Sequence, residues 1–316
     1  MINFLIRRLL ASLFMILIAS TLVFLIVHML PGDPVVLLLG ESASADSEAV
    51  QKIRRQLNLD RPLPVQYYEW AKGMLRLDLG VSLQTGVPVT EELRRRIPRS
   101  LELIFLGLLI ATVTGIPLGI FGARHADSPT GSLPSILAII GFSSPVFVTG
   151  VVLIIAFSLS LKLLPSSGYV SFFEDAPGHL RYVVLPSLAL GFGFMGVVIR
   201  MTRASFSDTL RKDYVRTARA KGLSERTVMY RHALWNSLVP VIAVIGVRAG
   251  NLLGGTVIVE TLFNWPGLSS LLVRSCYDRD YPVIQGCLIA IFVMFVFISL
   301  IVDLFQGILD PKLRHR

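Results

Sequence analysis

The feature that most limits what this chain can become is a series of uncharged apolar runs longer than 18 residues. Runs of that length exceed what a soluble core helix needs and match the thickness of a bilayer. In hydrocarbon every backbone donor and acceptor must be satisfied internally, so such runs are expected as helices. Hydrophobic residues make up 53% of the 316 and charged residues only 16%, as this reading requires. The fold class expected is all-α, a polytopic membrane protein with six transmembrane helices. The spans predicted are Leu9–Leu30, Leu101–Ala123, Leu133–Ser160, Tyr182–Met201, Leu238–Val259 and Val283–Leu304.

The first run follows Arg7 and Arg8, the layout of a signal peptide. It is too long for a secretory apolar region, and HMLPGDP follows it in place of a small-residue cleavage site, so it reads as an uncleaved helix. Ser143–Pro145 predicts a kink inside the third span. Three blocks follow: residues 1–30 as N-terminus and first span, 31–100 as a polar insertion, and 101–316 as a five-helix core with a basic loop at 202–237. In the insertion, Ala49, Val50, Ile53 and Leu57 share one helical face. A second helix opening at Pro64 would carry Tyr67, Tyr68, Ala71, Met74 and Leu75.

The net charge of +9 is concentrated beside the spans. Segment 200–237 holds nine Lys/Arg against three acids; Arg7, Arg8, Lys312, Arg314 and Arg316 lie near the ends. Positive charge placed there orients spans toward the cytoplasm, so both termini and 202–237 are expected inside and 31–100 outside. It argues against a nucleic-acid partner. Arg94, Arg95, Arg96 and Arg99 depart from that pattern, because they precede the second span on the outer side. Cys276 and Cys287 allow one disulfide or two free thiols; free thiols are favoured. Scattered histidines form no metal-ligand cluster.

Gly191-x-Gly193-x-x-Gly196 has the spacing of a dinucleotide fingerprint but lies mid-span, where close helix packing is the better reading. Gly246, Gly250 and Gly254 predict one smooth stripe on the fifth helix. The sequence contains no phosphate-binding GxxxxGK[ST] loop and no nucleophile elbow, so the chain is not expected to be an enzyme.

Segment 213–240 reads DYVRTARAKGLSERTVMYRHALWNSLVP. Asp213 can cap a helix Tyr214–Lys221 that Gly222 ends, and Ser224 can cap a second helix running toward Asn236. A basic loop resting on anionic lipid is the plain alternative. Two caps around a central Gly specify a shape, and a shape implies a docking partner.

RTARAKG with HALWNSLVP resembles the coupling loop of ABC-importer permeases. The similarity is greatest to the first permease subunit of the dipeptide/oligopeptide family. HMLPGDP at 28–34, DLGVSL at 78–83, FNWPGL at 263–268, RDYPVIQ at 279–285 and the ending VDLFQGILDP extend the resemblance along the chain. The family's general Glu-Ala-Ala is replaced here by Arg216, Thr217 and Ala218. The resemblance implies a type I permease-like fold in the bacterial inner membrane, working as a heterodimer with a homologous second permease. It implies two cytoplasmic ATPase subunits that bind ATP and Mg, no cofactor in this chain, and an extracytoplasmic binding protein that delivers di- or oligopeptides. Glutathione, nickel chelates, opines and oligosaccharides are alternative cargoes. It also assigns coupling to Asp213, Tyr214, Ala218, Arg219, Lys221, Gly222, His232, Asn236 and Pro240.

Arg248 falls within the fifth span, where an isolated cation is costly. It is either paired structurally, with Asp303 or a partner's acid, or a cavity wall that meets a peptide carboxylate. Asn251 joins it as a candidate for the path, and Glu260 as a gate or interface group. A stand-alone secondary transporter or channel would call for ion-coupling residues and inverted repeats, and neither is visible.

Overall fold

The computed structural model describes residues 2–29, 60–250 and 252–309. Among them the chain is helical: α1 (Ile2–Met29), α2 (Leu63–Leu75), α3 (Val89–Arg124), α4 (Pro129–Ser143), α5 (Val146–Ser160), α6 (Ala176–Leu210), α7 (Asp213–Ala220), α8 (Glu225–Ala249), α9 (Leu252–Leu262), α10 (Leu268–Asp278) and α11 (Tyr281–Leu309). Five helices are long and apolar enough to cross a membrane, and a sixth crossing results if the bent pair α4–α5 counts as one. That pair turns through 109°, because Ser144 is extended and Pro145 cannot continue the helix. The expected kink is therefore a full break.

The predicted fifth span, Leu238–Val259, is covered by α8, to Ala249, and by α9, from Leu252, with residue 251 outside the described residues. The glycines of the predicted stripe differ in their surroundings. A Cβ on Gly246 would lie 2.4 Å from Val302, whereas one on Gly254 would meet nothing within 4 Å. Gly191 and Gly196 do serve close packing: a Cβ there would approach the carbonyl oxygens of Gly107 and Ala138 to 2.7 and 2.5 Å.

Contacts divide the chain into two compact units. One is built on Leu101–Trp265 with residues from 297 onward. In it α4, α5 and α8 pack on α6, whose face carries Val183, Leu185, Val198 and Ile199 fully buried. A histidine that sequence reasoning passed over sits here. His179 is buried, its Nδ1 lies 2.7 Å from the Val170 carbonyl and its Nε2 2.8 Å from Glu102, with Tyr169 and Trp265 against the ring.

The other unit takes Arg7–Ser100 and Pro266–Val296. Phe24 of α1 packs on Tyr67 and Trp70 of α2, both at 5.3 Å between ring centres. The half-buried side of α2 includes Tyr67, Trp70, Ala71 and Met74; Tyr68 and Leu75, assigned to that side from the sequence, are exposed. The 49–57 face lies outside the described residues. Arg95 pairs with Glu91, Arg96 lies 3.6 Å from Glu92, and Arg99 donates to the Pro266 carbonyl. Acids one turn back thus offset two of the four arginines that broke the charge pattern. At 36 residues α3 is roughly 54 Å long, well beyond the ~30 Å hydrocarbon layer, so this basic first part can stand clear of it.

Two motifs meet in this unit. Asp280 is buried and accepts from the Ser82 hydroxyl at 2.5 Å, from Leu83 N at 3.2 Å and from Gln84 N at 3.4 Å. Asp280→Ala strands the buried Ser82 hydroxyl and frees two backbone donors that are half-buried or exposed. It is expected to cost about 1–3 kcal/mol, read as a lower thermal midpoint in detergent. An unchanged midpoint would contradict the clasp. Both cysteines are free, and desolvation raises the Cys276 thiol above its ordinary range.

Candidate coupling hairpin

Helix α7 is short and strongly two-sided. Val215 and Ala218, three residues apart, are buried against Val228 and Leu210; Asp213, Tyr214, Arg216 and Arg219 are exposed. Asp213 is not the cap. It is the first helical residue, Lys212 takes the cap position, and no side chain caps the end. The acid sits in the first turn, where the helix dipole favours it.

The helix closes with paired C-terminal bonds. Gly222 N donates to the Arg219 carbonyl at 2.9 Å and Leu223 N to the Ala218 carbonyl at 3.4 Å, around a left-handed Gly222 with φ +76°. Ser224 then caps α8, its hydroxyl accepting from Thr227 N at 3.4 Å. The second arm is not a separate helix ending near Asn236. It runs unbroken into the span, with a wider π-type turn over Val228–Leu234. Whatever moves the hairpin therefore pulls on a membrane helix directly.

A bidentate pair joins the arms: Arg219 donates to Glu225 at 2.7 and 3.1 Å. Both side chains are about half exposed, so the pair steadies the turn by only about 0.2–1 kcal/mol. Beneath it, Met229 and Ala233 pack with Phe206 and Ala123, and the Ser205 hydroxyl donates to the Ser237 carbonyl at 2.7 Å. The hairpin is thus anchored to α6 and α3. Its outward surface offers Tyr214, Leu223 and Tyr230 among exposed Lys221, Arg226 and Arg231. Arg226, Thr227, Tyr230 and Arg231 line a shallow hollow on the second arm.

The predicted coupling residues fall into two groups. Asp213, Tyr214, Arg219, Lys221 and Gly222 share the outer surface, whereas Ala218 is interior and shapes the hairpin. His232 is half-buried, with its carbonyl accepting from Asn236 Nδ2 at 2.8 Å; Asn236 and Pro240 are exposed further along α8. Of the three predicted path residues, two are described. Arg248 is exposed near the end of α8, and no described residue pairs with it, which removes Asp303 as its partner. Glu260 is fully buried on α9, and Asn251 lies outside the described residues. No group of three metal-ligating side chains occurs among the described residues. The pairing of the first-turn acid Glu225 with Arg219, and the aromatic Tyr230, are the hairpin features not foreseen from sequence. The position of Glu225, six residues after Arg219, was the available signal.

Several spans and an anchored basic hairpin are what the membrane component of a transport machine calls for. The description "Binding-protein-dependent transport system inner membrane component" matches residues 115–315, and the description of that system's N-terminal membrane component matches 1–104. Glutathione transport system permease proteins of Escherichia coli K12 and Salmonella paratyphi A are each 40% identical over 316 residues, covering all of both chains. A crystal structure of an amino acid ABC transporter with histidines shares the fold at TM-score 0.53 and 17% identity, over 69% of this chain and 94% of that one. The chain belongs to the binding-protein-dependent transport system inner membrane components: it is a multi-pass permease subunit of an ABC importer, not itself an enzyme.

Proposed function

We propose that this permease carries short peptides, pairing with a homologous second permease. Two ATPase subunits, binding ATP and Mg, would dock on its hairpin and on the partner's. An extracytoplasmic binding protein would supply cargo. The hairpin and both termini then face the cytoplasm. The observation that carries the reading is the hairpin, packed in its core, aromatic and basic on its face, and continuous with a span. Closure of the ATPase dimer would draw the hairpins together, and α8 would transmit the movement to the cavity. Full-length similarity to permeases named for glutathione transport, a tripeptide, supports a peptide cargo.

The test is a panel of ligands on the cognate binding protein: glutathione, dipeptides, longer peptides, a nickel chelate and an oligosaccharide. Preference for peptides is expected; exclusive binding of the chelate or the sugar would redirect the reading. Arg248 enters the same experiment. No described acid pairs with it, so Arg248→Gln should keep normal membrane abundance. Uptake of peptides with a free carboxylate should fall about 3- to 10-fold more than uptake of amidated ones, as for one charge-assisted contact. Equal uptake of both would remove Arg248 from the path.

A further inference from the structure

Between α4 and α6 lies a groove of about 440 Å³. Its walls are Ala138, Ile139, Phe142, Val197 and Ile199, and its other lining includes two arginines of α6, Arg200 and Arg203, with Ser135 and Ser207. Arg200 lies over the Phe142 ring, 5.5 Å from its centre, and Arg203 donates to the Ser135 hydroxyl. No carboxylate lines the groove, and among the described residues none pairs with either guanidinium. Two cations thus line an apolar groove with no acid in its lining and, among the described residues, no anionic partner.

We propose that the groove binds one anionic phospholipid of the leaflet on the hairpin side. The phosphate would sit on Arg200 and Arg203, and the acyl chains would run along Ile139 and Phe142. The groove is graded as such a molecule is. α4 and α6 run antiparallel here, with Ser135 beside Arg203 and Ala138 beside Gly196, so Arg203, Ser135 and Ser207 lie toward the hairpin and Ala138, Ile139 and Phe142 lead away from it to Ser143. Ile136, Ile139, Ile140 and Phe142 stay exposed on α4 and continue the apolar surface. Depth agrees as well. Arg203 is seven residues before the end of α6 at Leu210, about 10 Å along the axis, which places it at headgroup level. The volume holds a headgroup and the first methylenes, and the remaining chain needs that exposed face. A peptide carboxylate would use the arginines but leave the apolar walls unfilled. Basic pockets between spans on this side of a membrane suit acidic headgroups.

The permease, purified in detergent with its co-expressed partner subunits, would be titrated with dioleoylphosphatidylglycerol or dioleoylphosphatidylcholine and bound lipid read by native mass spectrometry. The expected result is retention of the anionic lipid roughly tenfold or more over the zwitterionic one. Arg200→Gln with Arg203→Gln should abolish that preference in a monodisperse complex. Arg200→Lys with Arg203→Lys should keep most of it, which guards against misfolding as the cause. Arg124→Gln with Arg211→Gln, an equal loss of charge outside the groove, should leave it intact. Three results would overturn the proposal: equal loss in that control, displacement of lipid by inorganic phosphate alone, or no lipid preference in the wild-type complex.

Discussion

Gly222→Leu is expected to leave the permease in the membrane and to lower ATP-driven uptake by at least about tenfold. Gly222 holds φ +76° at the hairpin turn, a conformation that costs a side-chain-bearing residue about 1–2 kcal/mol. A Cβ there would meet nothing within 4 Å of this chain, so within it the objection to leucine is backbone strain. A docked ATPase would add a second objection, contact with the new side chain. A short series separates them. Asparagine tolerates left-handed backbone, so Gly222→Asn should retain most activity if strain alone matters. If Asn and Leu fail alike, the partner surface is what excludes the side chain. Wild-type uptake by the Leu variant, at matched membrane abundance, would deny the turn any part in coupling.

Val215→Asp should do comparable damage by another route. Val215 is fully buried in the small cluster with Ala218 and Val228 that holds the two arms together. A carboxylate there lacks a partner, and its burial costs several kcal/mol, more than so small a core supplies. The arms should part while the spans, stabilised elsewhere, persist. The expected signature is near-complete loss of uptake, with faster proteolysis confined to 213–228 and membrane abundance reduced less than about twofold. Protection of that segment at wild-type levels, with uptake retained, would show that the cluster does not hold the hairpin.

Much of this architecture could be read from the sequence, because a bilayer leaves few ways to place long apolar runs. The break at Ser143–Pro145 was visible because extended Ser144 and Pro145 interrupt helix locally. The hairpin's turn was legible through Gly222 and Ser224, whose roles are local. Its first cap was misassigned because Asp213 serves a first turn as well as a cap position. His179 was out of reach, since Glu102 and the Val170 carbonyl lie in other elements. The path residues were the least legible. Arg248 could be placed in the fifth span from the sequence, but whether it is paired or faces open space depends on neighbours in other elements; it lies on an exposed face of α8.

The central claim, that the 213–235 hairpin is where the ATPase docks, is most directly tested by site-specific photocrosslinking in the assembled importer. A photoreactive side chain would be placed at Leu223 or Tyr230, both exposed on the hairpin, and at Tyr68 on α2 as the reference position. The account predicts an adduct with an ATPase subunit from Leu223 and Tyr230 and none from Tyr68. An ATPase adduct from Tyr68, or none from either hairpin position in a complex that still hydrolyses ATP on cargo delivery, would contradict it.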